Sequence, residues 1–174
     1  LYRARKAELA LGQIEEAIKL NPRVRVLYHT KGVVLALLAQ STESLDLARR
    51  RLVQSEHAYR QAMAMYERDE YSYQGLATLY LDWAKRVGEK EAAEYIQKSE
   101  EVISEGLRKV RVRDGLLIVS SEVERWLGNE PSRIQALERA VYESPGSIVA
   151  RYLLGRLYRR TSQPQKAIEV LEPV

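Results

Sequence analysis

The sequence predicts an all-α protein, a solenoid of antiparallel helix pairs, and two observations lead to this fold class. Apolar residues recur every three or four positions over most of the chain, which is the spacing of one face of an α-helix. The same pattern returns at a fixed interval, since 34 residues separate Ser121 from Gly155 and also Leu137 from Leu171. Turn residues interrupt the apolar stripes at this interval, which favours stacked pairs over a plain bundle or coiled coil built on the same stripes.

Breaks in the apolar pattern divide the chain into one partial unit and four helix pairs. Residues 1–20 read as a single helix that Asn21 and Pro22 close. Because Leu1 already falls inside that helix, we expect the chain to be part of a longer protein. In the last unit, Pro164 fits the first turn of a helix, where its missing N–H has no cost. The predicted units are residues 1–22, 24–67, 70–112, 114–145 and 147–174.

The second helices of the two middle pairs are predicted to be elongated. From residue 43 to 68, apolar and small residues advance by three and four positions, and a similar stripe runs from residue 89 to about 112. Both helices should run to well over 20 residues, which explains why 43 residues separate Gly32 from Gly75 and 46 separate Gly75 from Ser121. Gly or Ser at these positions predicts close helix crossings, because a larger side chain would push the axes apart.

The last unit contains a known repeat motif. Its first helix has Leu154, Gly155 and Tyr158 in the pattern L-G-x2-Y, and small and apolar residues follow at Ala167 and Leu171. This stretch resembles the tetratricopeptide (TPR) repeat, a helix–turn–helix unit of 34 residues. The resemblance extends over the whole chain, with the most motif content near its two ends. It implies a right-handed α-solenoid that binds its partners in a concave groove.

A second resemblance concerns the parent protein. The segment RDEYSYQGLATLYLDWAK, residues 68–85, and the elongated pairs are similar to the helical-repeat regions of large signalling NTPases of the STAND type. In that family the repeats sense a ligand, and the enzymatic activity lies in another domain. The resemblance implies a sensor region in a longer chain that also has a nucleotide-binding domain.

Motifs of enzymes and cofactor sites are missing from the sequence. The chain has no Cys, and its two His residues, His29 and His57, lie on different predicted helices without metal-ligand spacing. Neither G-x-G-x-x-G nor G-x4-G-K-S/T occurs. Acidic pairs such as Glu15 and Glu16 are more typical of solvated helix faces than of catalytic dyads. We therefore predict a protein without catalytic activity, cofactor or metal.

The charge balance is only mildly basic. The chain has 28 Lys and Arg against 24 Asp and Glu, a net charge of +4 and a pI near 9.3, with both signs interspersed. Such an excess is more typical of solvated helix faces than of a nucleic-acid footprint. No apolar run approaches the roughly 18 residues of a membrane span. Without a signal-like N-terminus, the default expectation is a cytoplasmic protein.

The resemblance to TPR arrays implies that the first helix of each pair lines the groove. The groove should change from apolar at its N-terminal end to cationic at its C-terminal end. One TPR subclass clamps the C-terminal carboxylate of chaperone tails with Lys and Asn, and these residue types are missing here, which disfavours that function. The predicted groove residues are His29, Val33, Ala36, Ser72, Leu76, Leu79, Ile118, Glu122, Arg125, Tyr152, Arg156 and Arg159.

The C-terminal end of the predicted groove indicates the kind of partner. Arg156 and Arg159 beside Tyr152 could hold an acidic or aromatic segment through charge-assisted bonds and stacking. Arg156, Arg159 and Arg160 could equally solvate an end that a further repeat covers. We predict a non-catalytic protein-interaction module, an adaptor or sensor, that recognises a peptide or helix. A half-repeat exposed at either end could also drive self-association.

RNA binding along the groove is the alternative function. Basic clusters within residues 49–51, 108–113 and 159–160 could, together with Tyr, supply phosphate contacts and base stacking. A regular base code, however, needs polar groove pairs in every repeat, and the predicted groove positions are apolar in two of them. Protein binding is therefore the preferred prediction.

Overall fold

The computed structural model describes residues 2–172, with side chains from residue 5 onward. Leu1, Pro173 and Val174, at the ends of the first and last predicted units, lie outside this part of the chain. Every regular element within residues 2–172 is an α-helix. The helices are α1 (Tyr2–Leu20), α2 (Arg25–Ser41), α3 (Leu45–Met65), α4 (Glu70–Ala84), α5 (Glu89–Lys109), α6 (Asp114–Trp126), α7 (Glu130–Glu143), α8 (Ile148–Arg160) and α9 (Pro164–Leu171).

The helices pack as stacked pairs. α2 packs on α3, α4 on α5, α6 on α7 and α8 on α9, and each second helix also contacts the first helix of the next pair. The first helices α2, α4 and α6 contact one another in turn, so they form a continuous layer. α1 lies against α2 as the second helix of a preceding pair would. The predicted all-α solenoid of helix pairs is confirmed.

Two of the second helices are elongated, as predicted, although each exceeds 20 residues only slightly rather than by the expected wide margin. α3 and α5 each span 21 residues, whereas α7 spans 14 and α9 spans 8. The Ser44 hydroxyl caps α3 by accepting a hydrogen bond from the backbone N–H of Leu47 at 3.4 Å. Both long helices have charged faces. None of the helices within residues 2–172 combines the length with the apolar character that crossing a bilayer requires.

Glycine allows close helix crossings at both ends of the solenoid. The ring of Tyr59, on α3, lies against both Gly32 of α2 and Gly75 of α4. A Cβ atom at Gly32 would lie 2.8 Å from this ring, and one at Gly75 would lie 2.6 Å from it. A Cβ atom at Gly155 of α8 would lie 2.8 Å from Leu171 of α9. The close crossings predicted at these glycines are confirmed, because a larger side chain must displace its neighbour.

Buried serines fix the second helices against the first helices of the middle pairs. Ser55 on α3 donates to the backbone carbonyl of Gly32 at 2.7 Å, and Ser99 on α5 donates to that of Ala77 at 3.0 Å. Both serine side chains are completely buried. A buried hydroxyl needs a hydrogen-bond partner, so these two bonds set the register of each pair.

Candidate partner-binding groove

Two of the cavities that the first helices border lie at separate positions along the solenoid, one between α2 and α4 and one where α6, α7 and α8 meet. The first, here called the apolar cavity, measures about 290 Å³ and is lined by His29, Val33, Ala36, Leu37, Gln40, Tyr59, Tyr71, Gln74, Gly75, Thr78, Leu79 and Asp82. The second, here called the arginine cavity, measures about 330 Å³ and is lined by Glu122, Arg125, Arg133, Leu153, Arg156, Leu157 and Arg160.

His29, in the wall of the apolar cavity, is held by a chain of polar contacts. Its Nδ1 lies 3.1 Å from the Oγ of Ser72, and Ser72 donates to the carboxylate of Asp69 at 2.6 Å. Since the Ser72 hydroxyl has one proton and gives it to Asp69, His29 must donate from Nδ1. Arg25 forms an ion pair with Asp69 at 2.6 Å, which balances the charge of this buried carboxylate.

Burial keeps His29 neutral near pH 7. The pKa of His29 lies below the ordinary histidine value mainly because burial penalises the charged ring, while the Asp69 carboxylate partly opposes this shift. The ring centroid lies 5.7 Å from that of Tyr59 and 6.2 Å from that of Tyr71. A neutral ring among aromatic side chains makes this end of the groove apolar.

Of the groove residues predicted in the N-terminal half of the chain, some line the apolar cavity and others are buried in the core. His29 and Val33 line the apolar cavity, whereas Ser72 and Leu76 are 0% exposed and belong to the core. The two α4 residues are corrected because Ser72 is hydrogen-bonded to His29 and Asp69, and Leu76 packs in the hydrophobic core between the helices. Leu37, 53% exposed, lines the cavity but was not predicted. Its signal in the sequence is its position one helical turn after Val33.

Two carboxylates hold guanidinium groups of the arginine cavity in place. Glu122 and Arg125, both predicted groove residues, form an ion pair at 3.1 Å. Glu122 also lies 3.5 Å from the guanidinium of Arg133. Glu130, at the start of α7, accepts from Arg160 at 2.6 Å. The guanidinium groups from three different helices are thereby brought to one cavity.

Arg133 is the buried member of the arginine cavity. It is 8% exposed, and its Nε has no hydrogen-bond partner within the described part of the chain. The local sequence sets its position: Gly128 turns the chain with a φ of 71°, and Asn129 caps α7 by accepting from the Ser132 N–H at 3.3 Å. Burial lowers the pKa of Arg133, and Glu122 opposes this effect. The cavity therefore contains a largely buried cation whose Nε–H has no acceptor among the described residues.

The remaining groove residues predicted in the C-terminal half line the arginine cavity, are exposed outside it or pack in the core. Arg156 lines the arginine cavity, and its guanidinium lies 5.5 Å from the ring centroid of Tyr152. Tyr152 and Arg159 are exposed but do not line the cavity, and Ile118 packs against core residues. Arg133 was missed because it lies on a second helix, where the TPR resemblance does not place groove residues.

The two cavities differ in chemistry, and the described residues form no metal site. Within residues 2–172, no group of three or more His, Cys, Asp or Glu side chains could hold a metal ion. His29 is engaged with Ser72, and His57 is on the charged helix α3. The arrangement can bind apolar groups at one end of the groove and anions at the other.

Stacked helix pairs that cross at small residues define the fold as a TPR-type solenoid. Solved structures agree with this assignment. TTC0263, a thermophilic TPR protein of Thermus thermophilus, aligns with 98% of this chain over 82% of its own, with a TM-score of 0.71 and 17% sequence identity. The TPR resemblance is thus confirmed at the level of the fold.

Two further solved structures are similar in fold. YrrB, described as a TPR protein with an unusual peptide-binding site, covers 90% of this chain and 70% of its own, with a TM-score of 0.56 and 16% identity. A monomeric IFIT1 mutant, solved with m7Gppp-AAAA, covers 98% of this chain and 34% of its own, with a TM-score of 0.59 and 18% identity. The sequence matches no protein-family model and no curated protein sequence.

Proposed function

We propose that the protein is a non-catalytic protein–protein interaction module that binds a peptide or helical segment of its partner in the groove along the first helices. The proposal depends on one observation, the two open cavities of different chemistry on these helices. A peptide along the groove can insert an apolar side chain into the apolar cavity and an acidic group into the arginine cavity. The module acts as an adaptor, or as the sensor region of a larger cytoplasmic protein.

Exposed apolar side chains support a partner at the N-terminal end of the groove. Leu37 and Tyr71 are 53% and 61% exposed, and both line the apolar cavity beside Val33. Adjacent exposed apolar residues mark interaction sites more often than single ones do. An apolar or aromatic anchor of a peptide would cover these side chains and pack against the neutral ring of His29.

Arginine side chains support an acidic or aromatic segment at the C-terminal end of the groove. Arg125 and Arg156 line the arginine cavity, and Arg159 and Tyr152 are exposed on the same helix as Arg156. Guanidinium groups bind carboxylates through paired, charge-assisted hydrogen bonds and also stack on aromatic rings. YrrB, whose structure is described as having a peptide-binding site, supports a peptide as the class of partner.

Selection from a displayed peptide library tests the groove. Peptides selected on the wild type are measured against a groove variant, Val33→Glu/Leu37→Glu, which brings two charges into the apolar cavity. The matched control is Leu45→Glu/Val53→Glu, which changes two exposed aliphatic residues of α3 outside both cavities. We expect the groove variant to lose on the order of 10-fold in affinity and the control to bind as the wild type does. Equal affinities at equal helicity would refute the proposal.

RNA is the second candidate partner, because IFIT1, similar in fold, was solved with m7Gppp-AAAA. Ion pairs weaken this candidate: Arg49 of the first basic cluster pairs with Glu91 at 2.6 Å, and Lys109 of the second pairs with Glu105 at 2.9 Å. Cations that are already paired release fewer counterions on binding phosphates. Single-stranded RNA bound more tightly than the non-specific range of about 10⁻⁴ to 10⁻⁶ M at physiological salt would replace the peptide proposal.

Self-association through the terminal helices belongs to the same proposal. Leu9 on α1, and Ile168 and Leu171 on α9, are exposed apolar residues on the first and last helices. Such residues favour a contact between copies of the chain at these ends. Sedimentation equilibrium should detect a dimer that Leu9→Glu or Ile168→Glu dissociates. A monomer at every concentration measured would refute self-association and leave the groove proposal intact.

A further inference from the structure

The arginine cavity has more positive charge than its own carboxylates neutralise. Glu122 is part of its lining, and Glu130 pairs with Arg160 and lies 4.0 Å from Arg133. Two carboxylates therefore face four guanidinium groups, which leaves two positive charges uncompensated within the described part of the chain. The four guanidinium groups that line the cavity belong to Arg125, Arg133, Arg156 and Arg160.

The incompletely bonded guanidinium of Arg133 indicates where an anion would bind. Its guanidinium lies 3.5 Å from Glu122 and 4.0 Å from Glu130, but its buried Nε has no acceptor among residues 2–172. Leaving a charged donor buried without an acceptor is costly. Since Arg133 borders an open cavity, an anion that enters the cavity can approach the terminal N–H groups of this guanidinium and compensate its charge.

Arg156 is the second open cation of the cavity. Its guanidinium lies 5.5 Å from the ring centroid of Tyr152 and forms no ion pair within the described part of the chain. Stacking on an aromatic face leaves the N–H groups at the edge of a guanidinium free to donate. Leu153 and Leu157 provide the apolar part of the cavity wall. The cavity thus offers open donors beside a surface for the carbon atoms that bear an anion.

We propose that the arginine cavity binds the phosphomonoester group of a phosphorylated side chain on the groove-bound peptide. A phosphomonoester has a charge of about −1.5 to −2 at pH 7 and three acceptor oxygens, which match the two uncompensated charges and the open donors of Arg133 and Arg156. A carboxylate brings a single charge and leaves one guanidinium uncompensated. This inference rests on the proposed function, because it specifies the chemistry of the peptide that the groove takes.

Capped amino acids test the site in the wild-type protein. Capped phosphotyrosine supplies the dianion, capped sulfotyrosine has nearly the same shape with one charge fewer, and capped tyrosine has no charge. The NMR signal of the Arg133 Nε–Hε group, assigned by its loss in Arg133→Lys, reports on the buried donor. We expect phosphotyrosine to shift this signal and to bind on the order of 10-fold more tightly than sulfotyrosine. Capped tyrosine should leave the signal unchanged.

Two substitutions separate the cavity from general surface charge. Arg156→Gln removes an open cation of the cavity and should weaken phosphotyrosine binding on the order of 10-fold. Arg139→Gln removes an exposed arginine of α7 that lines neither cavity and should change the affinity by less than about 2-fold. An equal loss in both variants, an unmoved Arg133 signal, or equal affinity for sulfotyrosine would each overturn the proposal.

AMP distinguishes a phosphopeptide from a nucleotide as the source of the phosphate. If AMP binds more tightly than capped phosphotyrosine, the assignment to a peptide is overturned. The peptide-library experiment changes Val33 and Leu37 at the apolar cavity, so its outcome is independent. Failure of phosphotyrosine alone rejects the phosphate inference and leaves the groove standing. If only the library experiment fails, the arginine cavity is still an anion site, but the peptide-binding function on which the inference rests is rejected.

Discussion

Gly75→Ala tests the packing of the first two complete helix pairs. A Cβ atom at this position would lie 2.6 Å from Cε1 and 2.8 Å from Oη of Tyr59. The ring has little room to move, because it also lies against Gly32, where a Cβ atom would be 2.8 Å away. Overpacking costs about 1–3 kcal/mol, whereas Ala is favoured over Gly in a helix by roughly 0.5–1 kcal/mol. We expect a net loss of about 0.5–2 kcal/mol in the free energy of unfolding.

Urea unfolding followed by far-UV circular dichroism measures this loss. Gly12→Ala in α1 is the matched control, because no neighbouring atom would lie within 4 Å of its new Cβ. There, helix propensity alone should stabilise the protein by roughly 0.5–1 kcal/mol. In a Tyr59→Leu background, which lacks the clashing ring atoms, Gly75→Ala should no longer destabilise. A Gly75→Ala protein at least as stable as the wild type would show that the tight crossing does not constrain this position.

Three further predictions concern a titrating group, a turn and a buried charge. The pKa of His29 is lower in the folded protein than the ordinary value of 6.5. As the pH falls through 6.5, the unfolded chain therefore binds a proton more readily than the folded chain does, and the free energy of unfolding decreases. His29→Gln should therefore lose less stability than the wild type between about pH 7.5 and about pH 5.5, and equal losses in urea titrations would contradict this. Gly128→Ala should cost about 1 kcal/mol, since φ is 71° there, and the thermal midpoint measures it. Asp69→Ala should cost about 2–4 kcal/mol in urea unfolding, because Arg25 and Ser72 both lose their partner.

Most of the fold could be predicted because its determinants are local in the sequence. Gly88 marks the break before α5, which begins at the next residue, Glu89, although α4 already ends at Ala84, earlier than the pattern indicates. Pro131 and Pro164 fall in the first turns of α7 and α9, where a proline fits. The end of α3 was less well predicted: Tyr66 continues the apolar stripe but has a φ of −151°, so the helix stops before it. Periodicity identifies a face, and it does not mark the residue where the backbone leaves the helix.

The candidate site was less predictable, because spacing does not determine how many neighbours cover a helix. Val33, Leu76 and Arg156 each follow the glycine at the crossing of their helix by one residue. Val33 and Arg156 line cavities, whereas Leu76 is completely buried. α4 contacts four other helices, so a position that is open on α2 and α8 is covered on α4. Only the packed structure distinguishes these equivalent positions.

Two buried charged residues, Asp69 and Arg133, differ in whether other groups of the protein complete their hydrogen bonds. Asp69, 1% exposed, has an ion pair with Arg25 at 2.6 Å and a hydrogen bond from Ser72 at 2.6 Å. Arg133 has its carboxylates only at 3.5 and 4.0 Å, and its Nε is unbonded within residues 2–172. A buried charge is stabilising only when its hydrogen bonds are complete. Folding alone therefore accounts for Asp69, whereas Arg133 borders an open cavity and is the charge that the proposed anion would compensate. In the sequence both are charged residues near the start of a helix, and the apolar periodicity does not tell them apart.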